Sequence, residues 1–518
     1  MARRLVIGAA AVTLAGIASL GTAHAGARPD DPGTGAAIIR RAIAAQGGEG
    51  TLRAIRTIEW HATGYRNELE QSERPDGPYI TEFDKIVELH DVAGQRIATT
   101  TTASSTPFPP FTQELIADRT TAMGVSGGRN SAGNAATLAT AREMLALSPE
   151  RLLLTALAAP DLQREPDAVL QNVRQQIVRF SLDGAPVRIF LNGYTHLPTA
   201  VDYSGPLARS GYWRFLGDVT MRTSYGFWWI ARTGVRLPLQ VNVTRNGLPN
   251  SEMSLSAITI NAPLDETRLR IPADVRATFA AGKMPASLDD IPFGAGKPPV
   301  EIAPGIVLFA GAWNVTLVRQ DDGVVVIEAP IASGYSVNAL AAAEKRFPGV
   351  KVKAVITTSD SWPHLAGIRE YAARGIPIYC LDLNVPILRR VIAAPYTSRP
   401  DRQQREPRAP ILRPVSARTV IGTGANRLEL YPLRGETSER QMMVWFPQHR
   451  LLYGSDLFQR TPDGAYAYPQ TVSELTDAVQ REGLHPETFF MMHIPPTPWH
   501  DLASVAARAA EANTPDGE

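Results

Sequence analysis

Residues 355–367 hold the ingredients of a chemical site. A β-branched run, Val355-Ile356-Thr357-Thr358, enters a polar turn, Ser359-Asp360-Ser361, and then come a lone His364, Gly367 and an amphipathic segment. A strand that runs through a short loop into a helix places that loop at the carboxyl edge of a sheet, where α/β proteins gather ligands. An imidazole there can ligate a metal or carry a proton. Ser359 or Ser361 with His364 as base would make a nucleophilic pair, but no third group to orient the base can be identified. Other histidines have plainer readings: His61 and His196 are isolated on strand patterns, His449 lies in a turn, and His500 follows Pro498-Trp499 as a surface cap. Cys380, the single cysteine, rules out an internal disulfide framework and reads as a small core residue of the apolar run 376–381.

The elements that must position these residues fall into two textures. From residue 55 to about 274 the pattern is strand. Residues 58–65, 177–182 and 187–191 alternate, with turn signals at Asp183-Gly184, Asn192-Gly193 and Asn246-Gly247. A helix is expected over 36–45, closed by Gly47-Gly48, and one or two more over 135–157. A Gly/Ala/Pro-rich stretch, 280–299, reads as a linker. Beyond it strands and helices alternate: strands at 306–309, 314–318, 324–328, 354–358, 376–381, 428–432, 441–446, 451–453 and 489–493, and helices at 335–347, 368–374 and 472–483. Residues 389–414, dense in Arg and Pro, read as a surface excursion.

With 518 residues the chain exceeds what one hydrophobic core organises, so at least two domains are expected. Its 52 basic and 51 acidic residues, with no basic run, argue against nucleic acid as a partner. Met1-Ala2-Arg3-Arg4, the apolar run 5–20 and Ala23-His24-Ala25 have the form of an export signal, which points to a periplasmic location. No later segment is long and apolar enough to span a bilayer. The expected organisation is a signal at 1–25, an antiparallel domain at 36–279, the linker at 280–299 and a second domain at 300–510.

The second domain resembles the metallo-β-lactamase fold over residues 302–507. The landmarks come in the family's order: the hairpin around Asp321-Asp322-Gly323, the strand and loop ending in His364 and Ala366-Gly367, the loop Gly435-Glu436-Thr437-Ser438, the turn and strand Pro447-Gln448-His449-Arg450-Leu451-Leu452-Tyr453-Gly454-Ser455-Asp456, and Met492-His493. The resemblance implies an αββα sandwich. The first domain resembles the curved half-barrel of periplasmic lipoprotein carriers, through Gly47-Gly48, Leu52, Ile55, Tyr194-Thr195-His196-Leu197-Pro198 and Ile271-Pro272. Such a sheet can hold an acyl chain on its concave face, although Trp213, Phe215, Phe227, Trp228 and Trp229 are expected to fill a core instead.

The departures from the family's ligand pattern matter most. Where the family has His-x-His-x-Asp-His, this chain has Ser359, Ser361, Pro363 and His364, and Glu436 stands at the next histidine position. Only His364, Asp456 and His493 match, so a two-metal site is not expected. Those three belong to one metal position, and two His with one carboxylate suffice for a divalent ion, most simply zinc. Glu436 and Asp360 are the carboxylates placed to assist. Two readings stay open. One is a single-metal hydrolase of esters, lactones or amides, taking a small-molecule or peptidic substrate. The other is a non-catalytic protein whose eroded site and half-barrel bind an apolar or peptidic ligand.

Overall fold

The computed structural model describes residues 33–69, 77, 79–105, 108–204, 217–281, 288–458, 460, 466 and 469–502. The export signal read at 1–25 lies outside them, as do Trp213 and Phe215. Among the described residues no helix is long and apolar enough to cross a membrane.

The first part is one thirteen-stranded antiparallel sheet. Thr57–Asn67 and Leu248–Ile260 pair at its middle, the earliest strand closing against the latest. Successive hairpins extend it outward on both sides, one of them turning at Asn246-Gly247 as the sequence expects. The helix Gly35–Gln46 is capped by the Thr34 hydroxyl, which accepts from the Ala37 amide, and ends at Gly47 with φ 128°. A Cβ there would lie 2.7 Å from the Gly234 carbonyl oxygen, so only glycine fits. This helix and Leu152–Ala158 pack Ile38, Ile39, Leu153 and Leu154 against Val178, Val187, Ile189 and Leu237 of the sheet.

One expectation fails here. Phe227 is 75% exposed and Trp229 40%, so these aromatics do not fill a core. Phe227 has φ 52°, an irregularity in Met221–Ile230 that carries it out of the alternation the sequence suggests.

The second part is an αββα sandwich. A seven-stranded sheet runs in spatial order Val300–Ala303, Ile306–Phe309, Val315–Gln320, Gly323–Ile327, Val352–Thr357, Ile378–Leu381 and Leu412–Val415. A six-stranded sheet runs Thr419–Ile421, Leu428–Pro432, Met442–Phe446, Leu451–Tyr453, Thr488–Phe490 and Thr497–Pro498. The central strands are buried on both faces and so read as continuous apolar runs. Val325 and Ile327 face the second sheet, meeting a core with Leu430, Val444 and Phe490. Val324 and Val326 face the outer helices Ser333–Arg346, Ile368–Ala373 and Val385–Ala393. On the far side, Pro469–Arg481 covers the second sheet through Val472, Leu475 and Val479.

The excursion expected at 389–414 is more ordered than its composition suggests. Leu412–Val415 is a strand, parallel to Ile378–Leu381 at the sheet's edge, where Pro414 costs no interior ladder bond. Arg369, 1% exposed, pairs with Asp401 at 2.6 Å and donates to the Val391, Ile392 and Ala394 carbonyls, anchoring the segment from within. Asp218 of the first part accepts from the Thr397 and Ser398 amides at 2.7 and 3.0 Å and from both hydroxyls, tying that segment to the first sheet.

Candidate metal centre

Three turns at the end of the sandwich bring the chemistry together. Val352–Thr357 delivers residues 358–367, Leu451–Tyr453 delivers Gly454-Ser455-Asp456, and Thr488–Phe490 delivers Met491-Met492-His493. The strand expected over 489–493 is Thr488–Phe490 and ends at Phe490, so His493 lies in a loop. Asn314 joins that loop to the opening hairpin: its amide donates to the Met492 carbonyl and its side chain to the Met491 carbonyl at 2.8 Å.

His364, Asp456 and His493 each offer one ligand atom, all within 4.8 Å of one another. His364 Nε2 is 3.2 Å from Asp456 Oδ2, and His493 Nε2 is 3.2 Å from Asp456 Oδ1. Tetrahedral ligands on bonds near 2 Å stand roughly 3.3 Å apart, so the spacing suits one ion. The second contacts of the rings support the same fit. His493 Nδ1 is 2.6 Å from the Ala312 carbonyl oxygen. A carbonyl only accepts, so Nδ1 carries the proton and Nε2 is the nitrogen that faces the carboxylate. His364 Nδ1 meets the Ser359 hydroxyl at 2.9 Å, which leaves its Nε2 pointing into the cluster.

The electrostatics separate the two rings. Burial is the largest effect on both and lowers both. It prevails at His364, held at about 4 despite Asp456, with His493 adding to the fall. At His493 the hydrogen bond and charge of Asp456, with the Ala312 carbonyl, outweigh burial and raise it. His364 is therefore a neutral imidazole at pH 7, as a metal ligand must be.

Replacing Ser359 with Ala removes the one hydroxyl on His364 Nδ1 and frees the ring to rotate. Metal affinity should fall about 10–100-fold, the range typical of such supporting contacts, with unchanged stoichiometry at saturation. Competition with a chromogenic chelator measures it.

The two carboxylates expected to assist are not in the three-residue cluster. Asp360 is buried on the His364 loop, with Oδ2 4.0 Å from Arg440 Nε. Glu436 is exposed, on a loop whose Thr437 and Ser438 both donate to Glu474. That loop continues to Gln441, whose side chain accepts from the Asp456 amide at 3.2 Å. Of the histidines given plain readings, His61 pairs with Glu59, His449 with Asn426 and His500 with Asp501. Burial pushes the Cys380 thiol up to about 12, as for a core residue.

Sequence reading missed Glu328. It is 1% exposed, follows Gly323–Ile327 directly, and has φ 75°. Its carboxylate accepts from the Thr358 hydroxyl and, at 3.1 Å, from the Tyr453 hydroxyl. Thr358 opens the His364 loop and Tyr453 the Asp456 loop, so one side chain bridges both. Burial holds its carboxyl up near 8. Ile331 and Ser455 also have positive φ, 72° and 63°, and the Ile331 amide donates to the Pro363 carbonyl at 2.7 Å. Backbone of this kind costs about 1–3 kcal/mol per residue and gathers at functional sites. The signal available in the sequence was an acid ending an otherwise apolar strand, Val324-Val325-Val326-Ile327-Glu328.

No protein-family model matches the chain, and no curated protein does. Similar solved structures include the DIM-1 metallo-β-lactamase, at 14% identity over 42% of this chain and 98% of that one, with TM-score 0.33. A metallo-β-lactamase from Pontibacter korlensis shares 16% identity over 40% of this chain and 97% of that one, with TM-score 0.32. The sec-alkylsulfatase Pisa1 from Pseudomonas sp. shares 16% identity over 42% of each chain, with TM-score 0.31. At these identities and scores the likeness decides neither ligand set nor substrate.

Proposed function

We propose that the chain is a single-metal hydrolase of ester, lactone or amide bonds, exported by the signal read at 1–25. The observation that carries this is the convergence of His364, Asp456 and His493 with both ring Nε2 atoms 3.2 Å from one carboxylate. Zinc is the ion most at home among two imidazoles and a carboxylate. When bound, it supplies Lewis acidity towards a carbonyl oxygen and acidifies water. The protein's own part is to hold His364 through Ser359 and His493 through Ala312, and to tie the two loops through Glu328. Trp313, whose ring centre is 6.4 Å from that of His493, gives the site an aromatic neighbour. Asp360, buried on the loop that carries His364, is the proposed proton acceptor.

The test is metal analysis after zinc loading, with turnover of a chromogenic ester, lactone and amide panel. One equivalent of zinc with chelator-sensitive hydrolysis is expected. Absence of metal under every loading condition would sink the reading.

The alternative, a binding protein without turnover, has an observation of its own. The first sheet encloses a cavity of about 230 Å³ lined by Trp60, Ile86, Tyr225, Val243 and Leu255 among others. A zinc-loaded protein that hydrolyses nothing and retains an apolar compound there would favour it.

A further inference from the structure

A larger cavity, about 460 Å³, opens in the first part, between the helix Ala135–Ala146, the Asp183-Gly184 turn and the ends of the strands Arg96–Ser105 and Phe108–Ala117. Its walls carry two kinds of group. Val92, Ile97, Ala117, Leu145 and Leu182 give it an apolar floor. Arg119, Arg142 and Arg151 give it guanidinium groups, against the carboxylates of Asp118 and Asp183.

The acids balance these arginines only in part. Asp118 is committed to Arg276 at 2.6 Å and to the Thr120 and Thr121 amides. The acid next to Arg151 in sequence, Glu150, spends its hydrogen bonds on His90 at 2.7 Å and the Ser148 hydroxyl at 2.7 Å, and acts on Arg151 through its charge alone. Asp183 is exposed on its turn. Arg142 donates to a backbone carbonyl, that of Arg119, and forms no ion pair among the described residues. Arg151 is half-buried, and burial pulls its guanidinium down; the charge of Glu150 opposes that fall and the charge of Arg53 adds to it. Three guanidinium groups around one concave opening suit an oxyanion, which they bind through paired N–H donors.

We propose that this cavity is a binding site for a small amphiphilic oxyanion, a phosphate or carboxylate carried on a short apolar body, its head on Arg119, Arg142 and Arg151 and its body on Ile97, Leu145 and Leu182. An apolar cavity of about 150 Å³ takes up benzene, so 460 Å³ holds a body of six to eight carbons with room for the head. The concave shape selects a single molecule over the surface of a bilayer. The site is independent of the metal centre, so either can fail without the other.

The test is calorimetric titration of the full chain with hexyl phosphate, hexanoate, 1-hexanol, hexylammonium and inorganic phosphate, and with vesicles containing anionic phospholipid. Hexyl phosphate and hexanoate should bind at least tenfold more tightly than hexanol, hexylammonium and inorganic phosphate, and more weakly as salt rises. Arg151→Gln should weaken hexyl phosphate at least tenfold and leave hexanol unchanged. Because Arg151 precedes the helix Leu152–Ala158, the double variant R119Q/R142Q, at two exposed positions, is the second arm and should give the same loss. Equal binding of hexanol and hexyl phosphate, vesicle binding without hexyl phosphate binding, or full affinity in the double variant would each overturn the proposal.

Discussion

Changing His493 to Ala is expected to weaken zinc binding about 10²–10³-fold and to abolish any chelator-sensitive hydrolysis. Structural zinc sites bind with about 10–16 kcal/mol over four ligands, or roughly 2.5–4 kcal/mol per ligand. At 1.4 kcal/mol per decade that is two to three decades for one imidazole. His493 is the informative position because its loop is also fixed without the ring, through Asn314 to the Met491 and Met492 carbonyls. The fold should survive, so loss of metal with unchanged near-ultraviolet circular dichroism separates a ligand from a structural residue. Retention of a full zinc equivalent at sub-micromolar free zinc would remove His493 from the ligand set and with it the proposed centre. His364→Ala is the weaker test, because that ring is 2% exposed and its removal leaves a cavity.

How far the sequence reached can be judged from this site. The strand–loop–His364–Gly367 grammar was legible because its residue types mark it even where their reasons lie elsewhere in the chain. Gly367 is there because a Cβ would come within 2.2 Å of the Ser336 hydroxyl. The sandwich was legible because strands buried on both faces leave long apolar runs such as Val324 to Ile327. Glu328 was not legible, since its importance lies in reaching Thr358 and Tyr453, partners 30 and 125 positions away. Glu436 shows the converse. Its place in a loop order could be read from sequence, but not its direction, and the loop is oriented by Glu474 from a helix far along the chain. The aromatics of 227–229 were expected to fill a core, yet Phe227 and Trp229 are exposed, and Phe227 has a positive φ that no local sequence signal marks. Pattern locates strands and loops, whereas long-range hydrogen bonds decide which side chains meet.

The same limit applies to the strongest stability prediction, which rests on a residue of the first part that no motif marks. His90 is fully buried, with Nδ1 2.7 Å from Glu150 and Nε2 2.6 Å from Glu88. Burial pulls the ring down, yet the two carboxylates, Glu150 foremost, raise it to about 10. It is thus an imidazolium between two acids, with the Ser148 hydroxyl on Glu150. The folded state holds this proton more tightly than the unfolded chain, whose histidine titrates near 6.5. The stabilisation is therefore complete below about pH 6.5 and drains away as pH rises towards 10. His90→Ala leaves Glu150, whose side chain has no exposed surface, without its cation, at a cost of roughly 3–5 kcal/mol at pH 6. The variant should also lose the decline between pH 6.5 and 10, so that the two proteins converge in alkali. Hydrogen exchange of the strand Thr81–Asp91, which contains His90, reads this locally and separately from the sandwich. An alkaline decline of equal slope in both proteins would mean that the stabilising proton is not on His90.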